Sequence, residues 1–82
     1  MDKFYENLVR TVCTISSGMY AGDYNRTLRK IAKSLKNVYS IEPVDIVAAL
    51  CLFEKGKYDY ARILLKRACN DLIRIGKERG LM

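Results

Sequence analysis

Histidine, tryptophan and glutamine are absent from these 82 residues, and proline occurs once. Without histidine there is no Ser-His-Asp relay and no histidine-ligated metal. The three cysteines, Cys13, Cys51 and Cys69, stand far apart with no Cys-x-x-Cys pair, so zinc and thioredoxin-type chemistry lack their ligand spacing. Long apolar runs are missing too. The longest, Ile46 to Phe53, falls well short of the ~20 residues that a membrane-spanning helix needs. The opening residues Met-Asp-Lys-Phe-Tyr-Glu carry acids and lack the apolar stretch of a signal peptide. These absences point to a cytoplasmic chain with no membrane span. The tyrosines and scattered acids form no paired catalytic groups, so the reading is a protein without catalysis, cofactor, metal or evident small-molecule substrate.

What is present is apolar content and positive charge. Half the residues are apolar, too many for a disordered chain, and 9.4 kDa allows one domain over residues 1–82. A fold of that size buries a modest share of its surface and has a thin margin of stability. The cysteines read most simply as small buried hydrophobes. A Cys51–Cys69 bridge is the lesser alternative, because intracellular disulfides are unusual outside hyperthermophiles, although the absence of Gln and the high Lys and Arg content lean faintly towards such a source.

Helical periodicity divides the chain into four segments, giving an all-α fold of two antiparallel helical hairpins. The first runs from about Asp2, a plausible N-cap, to Met19, with Phe4, Leu8, Val12, Ile15 and Met19 along one face. The second, about Asp23 to Asn37, sets Leu28, Ile31, Leu35 and Val38 opposite a row of arginines and lysines. The third starts near Pro43, with Ser40 or Glu42 as cap, and ends at Lys55-Gly56. Because its middle is apolar all round, it is expected to be the central helix, covered on every side. The fourth runs from Lys57 to about Arg79 and buries Tyr58, Ala61, Leu64, Leu65, Ala68, Leu72 and Ile75, with fraying expected after Ile75.

Gly22 and Gly56 lie 34 residues apart, as do Tyr24 and Tyr58, and conservative pairs such as Met19/Phe53, Ile31/Leu65 and Val38/Leu72 follow the same offset. This divides the chain into units of about 8–41 and 42–75. With Ala48, Ala49 and Leu52 before the turn, and Ala61, Leu65 and Ala68 after it, the second unit resembles the tetratricopeptide repeat, whose period is about 34 residues. The first unit departs more, with Ile15, Gly18 and Thr27 where the family prefers glycine, an aromatic and alanine. The resemblance implies helical hairpins used for binding other proteins, with Tyr58 plugging the corner of the second. A four-helix bundle is the alternative architecture. The lysine and asparagine clamp of the chaperone-binding subclass is missing: the corresponding faces show Val9, Val12, Ser16, Pro43, Ile46 and Leu50.

The net charge of +6 is unevenly spread: zero over residues 1–22, +4 over 23–36, −3 over 42–54 and +5 over 55–79. Two functional expectations follow. The first is a small protein-interaction module or accessory subunit that self-associates as a homodimer or docks on a larger protein. Two repeat units are fewer than the three a repeat array needs, and Tyr5, Val9, Tyr20, Tyr60, Ile63 and Ile73 are left as a candidate interface. The second is a basic accessory protein that binds nucleic acid through phosphate, with Arg26, Arg29, Lys30, Lys33, Arg62, Lys66 and Arg67 forming one continuous patch.

Overall fold

All four helices form in the computed structural model, which describes residues 1–82: α1 Lys3–Ser16, α2 Tyr24–Tyr39, α3 Val44–Glu54 and α4 Tyr58–Glu78. There is no strand. The two expected aspartate caps are in place. Asp2 accepts a hydrogen bond from the Tyr5 backbone N–H (3.0 Å) and Asp23 from that of Arg26 (3.1 Å), each satisfying one of the first-turn donors that a helix leaves free. The third helix differs from expectation. Ser40 caps the end of α2 in a left-handed conformation (φ 55°), and α3 starts on Pro43 with no side-chain cap.

Neighbouring helices are antiparallel, as pairs of residues from their ends show. Tyr39, closing α2, stacks on Phe4 and meets Tyr5 edge-on at the start of α1, with ring centroids 6.3 and 5.1 Å apart. Tyr24, opening α2, lies 4.6 Å from Phe53 at the end of α3. Asp45 and Arg67 pair across α3 and α4. The start of α4 returns to the end of α1, where Arg62 lies against Gly18. Each helix therefore packs on its chain neighbours and α1 closes on α4, while the diagonal pairs α1/α3 and α2/α4 make no close backbone approach. This ring is the contact order of an up-down-up-down bundle.

Around the ring the packing is uneven, and this corrects the expectation for the third segment. The middle position belongs to α4, which lies along both α1 and α3 and buries Ala61, Leu65, Ala68, Cys69 and Leu72. Only one side of α3, formed by Ile46, Ala49, Leu50 and Phe53, faces the core, and Val44, Val47 and Cys51 are exposed. A period of 3.6 residues puts those last three on one outer stripe. An apolar run carries no periodic signal to say which side faces out, so the sequence does not distinguish a covered helix from one with a bare face.

The cysteines also depart from expectation. Cys13 of α1 and Cys69 of α4 are joined in a disulfide with Cα atoms 5.2 Å apart, inside the range such a bond requires, and Cys51 is free and exposed. Neither the all-buried reading nor a Cys51–Cys69 bridge holds, because residues 51 and 69 point to opposite sides of the α3–α4 hairpin. Other expected core positions shift by one or two residues. Phe4, Met19, Val38 and Tyr58 are exposed, and Tyr5 and Val9, candidates for an interface, are buried.

The expected fraying after Ile75 does not occur. Helix α4 continues to Glu78 and the tail folds back, with the Leu81 N–H donating to the Gly76 carbonyl (2.7 Å) and the Asp2 N–H to the Leu81 carbonyl (2.9 Å). Gly76 permits this. A Cβ placed there would stand 2.7 Å from the Tyr5 ring and 2.8 Å from Met82, so only glycine lets α1 and the tail approach this closely. The Tyr5 hydroxyl donates to the Leu72 carbonyl. The Tyr39 hydroxyl donates to the Asp2 carboxylate (2.8 Å), and Arg79 donates to the Tyr39 carbonyl (2.6 Å). Both chain ends are thus tied to one end of the bundle.

This network titrates. The hydrogen bonds from the Tyr5 backbone N–H and the Tyr39 hydroxyl hold the Asp2 carboxyl below the ordinary aspartate range. Burial, reinforced by the Asp2 carboxylate, pushes the Tyr39 hydroxyl up to about 12, and burial also raises Tyr5. The tyrosine contribution to stability is complete below their ordinary pKa of about 10 and is lost as pH rises through the folded values. The Asp2 contribution has the opposite sign: it is present above the ordinary aspartate value and lost as pH falls through the depressed one. The denaturant midpoint is therefore expected to fall above pH ~10, and Tyr39→Phe to make that alkaline slope shallower. A slope identical in the variant would remove Tyr39 from the account.

Candidate interaction surfaces

Three surfaces stand out once the bundle is assembled. The first is the outer side of the α3–α4 hairpin. The Asp45–Arg67 ion pair, with two hydrogen bonds of 2.9 and 3.0 Å, marks the seam between the two helices and raises the Arg67 pKa. One and two turns along from Asp45 come Ala48 and Leu52, half-buried, and the matching steps back from Arg67 give Leu64, Ile63 and Tyr60. Ile63 is 64% exposed and Tyr60 66%. Across Ala48 the surface continues to Val44 (69%), Val47 (50%) and Cys51. The result is a continuous apolar band across two helices.

Of the six sequence-predicted interface residues, only Tyr60 and Ile63 lie on this band. Tyr5 and Val9 are buried against the other helices, and Tyr20 and Ile73 are half-buried against the core. The exposed half of the band on α3 leaves no periodic signal in the sequence, because the run Ile46 to Phe53 is apolar all round.

The second surface is basic. Arg26, Arg29, Lys30 and Lys33 lie exposed along the outside of α2, and only Arg29 has a carboxylate partner, Glu54 at 3.2 Å. Arg62, Lys66 and Arg67 belong to α4, which is diagonal to α2 in the ring, so the two groups do not merge into the single patch expected. Arg62 and Arg67 are paired with Asp59 (3.3 Å) and Asp45. Exposed pairs of this kind contribute little to stability, but they neutralise charge that a phosphate would otherwise meet.

The third lies at the end of the bundle away from the chain termini. Ile15, Gly18, Tyr20, Tyr24, Phe53, Tyr58, Asp59 and Arg62 line a cleft of about 390 Å³. Phe53 forms its floor between Tyr24 and Tyr58, with ring centroids 4.6 and 6.0 Å away. Tyr58, expected to plug the corner of its hairpin, is half exposed at the rim instead. The 34-residue spacing of Tyr24 and Tyr58 was the sequence signal for this cleft, since an equal offset in an up-down ring returns both tyrosines to the same end.

No group of histidine, cysteine, aspartate or glutamate side chains is arranged to hold a metal ion. No helix is long and apolar enough to cross a membrane. Comparison with protein-family models, with curated proteins and with solved structures returns no match.

Proposed function

We propose that the protein is a non-catalytic interaction module that pairs with a second copy of itself through the outer face of the α3–α4 hairpin. The observation that carries this reading is the apolar band of Val44, Val47, Cys51, Tyr60 and Ile63, exposed on a bundle that is already closed by a disulfide. Leaving such a band in water forgoes about 25 cal/mol for each Å² of apolar surface, and contiguous bands of this kind mark contact sites. Charge favours a like partner. Glu42, just before α3, and Lys66, on the exposed side of α4, have no ion-pair partner within the chain. A two-fold axis across the hairpin can set Glu42 of one copy against Lys66 of the other.

Sedimentation of the oxidised protein is expected to give twice the 9.4 kDa chain mass in the high micromolar range. Val47→Asp is expected to return it to 9.4 kDa with unchanged helicity, because Val47 is half exposed and not one of the buried core residues. Cys51→Ser is expected to leave the mass doubled, which separates association from accidental oxidation. A wild-type particle at the monomer mass throughout would overturn the reading.

A further inference from the structure

The cleft at the loop end of the bundle takes no part in the hairpin contact. Tyr60 and Ile63 point outward from α4, whereas Tyr58 and Arg62 point towards α1 and α2. Half of the chain's eight aromatic side chains line it, namely Tyr20, Tyr24, Phe53 and Tyr58. Phe53 belongs to the core and Tyr20 and Tyr24 pack against it, so Tyr58 is the ring left open to a ligand. Tyr58 is half exposed, and the cleft has room left over, about 390 Å³, within the ~300–1,000 Å³ range of small-molecule sites.

Its polar equipment is equally selective. The Arg62 guanidinium lies over Gly18, where a Cβ would stand 2.5 Å from it, so the missing side chain makes the place that Arg62 fills. Its single partner, Asp59, is reached at 3.3 Å through one nitrogen, and the Asp59 side chain is 92% exposed. The remaining guanidinium donors are free for another acceptor. Lys55 and Lys57 lie in the α3–α4 turn at the same end of the bundle, both exposed and without a carboxylate within 4 Å. Helix α4 begins on Lys57 with no side-chain cap, so its first N–H groups also face this end.

An open aromatic face beside a forked, incompletely paired cation, with two further cations in the adjoining turn, matches one kind of ligand: a flat ring with a phosphate attached. We infer that this cleft binds a nucleotide unit, with the base stacked against Tyr58, the phosphate held by Arg62, and Lys55 and Lys57 of the adjoining turn adding positive charge at that end. Stacking tolerates any base, because every base has a π-face, and the guanidinium fork suits phosphate oxygens. The unit can be a free mononucleotide or one residue of a single strand.

Two probes separate these sources: AMP, and a fluorescein-labelled oligoadenylate of about ten nucleotides, a length one stacking groove can span. Both are titrated into the oxidised full chain at low salt, AMP by NMR shifts and the oligonucleotide by anisotropy. Binding of either is expected to perturb Gly18 and Phe53. Tyr58→Ala, at a half-exposed rim position, is expected to weaken it about tenfold or more. Arg62→Gln is expected to weaken it and to flatten its salt dependence between about 50 and 200 mM. Circular dichroism of both variants checks that the fold persists. AMP binding alone identifies a free nucleotide as the ligand, and oligoadenylate binding alone identifies a strand. Binding of neither overturns the proposal. So does oligonucleotide binding that ignores Tyr58→Ala and is abolished by Lys30→Glu with Lys33→Glu, which would reduce the interaction to phosphate contact on α2. None of these outcomes depends on the mass of the particle, so the test stands apart from self-association.

Discussion

Breaking the Cys13–Cys69 bond, by a reductant or by joint replacement with serine, is expected to lower the free energy of unfolding by about 4 kcal/mol. The bond closes a loop of 56 residues, and the value follows from the entropy such a closure removes from the unfolded chain. For a domain of this size the thermal midpoint should fall by on the order of 20 °C. That is a large part of the ~5–15 kcal/mol that stabilises a typical domain. The position of the bond enlarges its consequence. Helix α1 meets α2 only sparsely and is held mainly by α4, so the disulfide joins α1 to the one helix that anchors it. Thermal unfolding followed by circular dichroism, with and without reductant, measures the effect. Cys51→Ser is expected to change stability by less than ~0.5 kcal/mol, since the side chain is exposed and unpaired. An oxidised and a reduced protein that melt together would show that the bond contributes nothing. The bond also bears on compartment. Persistent disulfides belong to oxidising surroundings or to the cytosol of hyperthermophiles, and this narrows the expectation of an ordinary cytoplasmic protein.

How much of this was legible depends on which signal each feature leaves. Helix number, helix limits within a few residues and the caps at Asp2 and Asp23 are local properties, written in periodicity and in side chains that reach their own backbone. Neighbour choice is not local. The apolar faces of α1 and α2 fit an antiparallel partner on either side, and nothing in their spacing says that α1 would lie along α4. The disulfide inherits this difficulty, because pairing follows which helices meet. Tyr5 shows the same limit at one residue. Its place off the Phe4, Leu8 and Val12 face suggested an outward position, yet the hydroxyl is satisfied by the Leu72 carbonyl of the neighbouring helix, and Gly76 leaves space for the ring. Of the basic patch, the exposed half on α2 was readable from helical spacing, whereas the pairing of Arg62 and Arg67 with carboxylates needed the tertiary contacts.

The identity of the central helix yields the second large effect. Leu65, in the middle of α4, is fully buried, and Leu65→Ala should cost about 3–4 kcal/mol: the transfer energy of the deleted carbons plus the cavity they leave between α4 and its neighbours. Val47→Ala, in the middle of the more apolar α3, should cost under ~0.5 kcal/mol, because half its surface is already in water and its removal opens no cavity. Composition alone ranks the pair the other way, since it makes α3 the covered helix. Urea unfolding of both variants decides between the two orders. Protein concentration then matters, because anything that covers the α3 face stabilises the folded state by mass action. At dilution Val47→Ala is expected to be silent. With rising concentration the wild type should gain stability that the variant gains less of, and the gain should vanish in Val47→Asp. A cost for Val47→Ala that is large and independent of concentration would instead place Val47 inside the folded monomer and remove the band on which self-association rests.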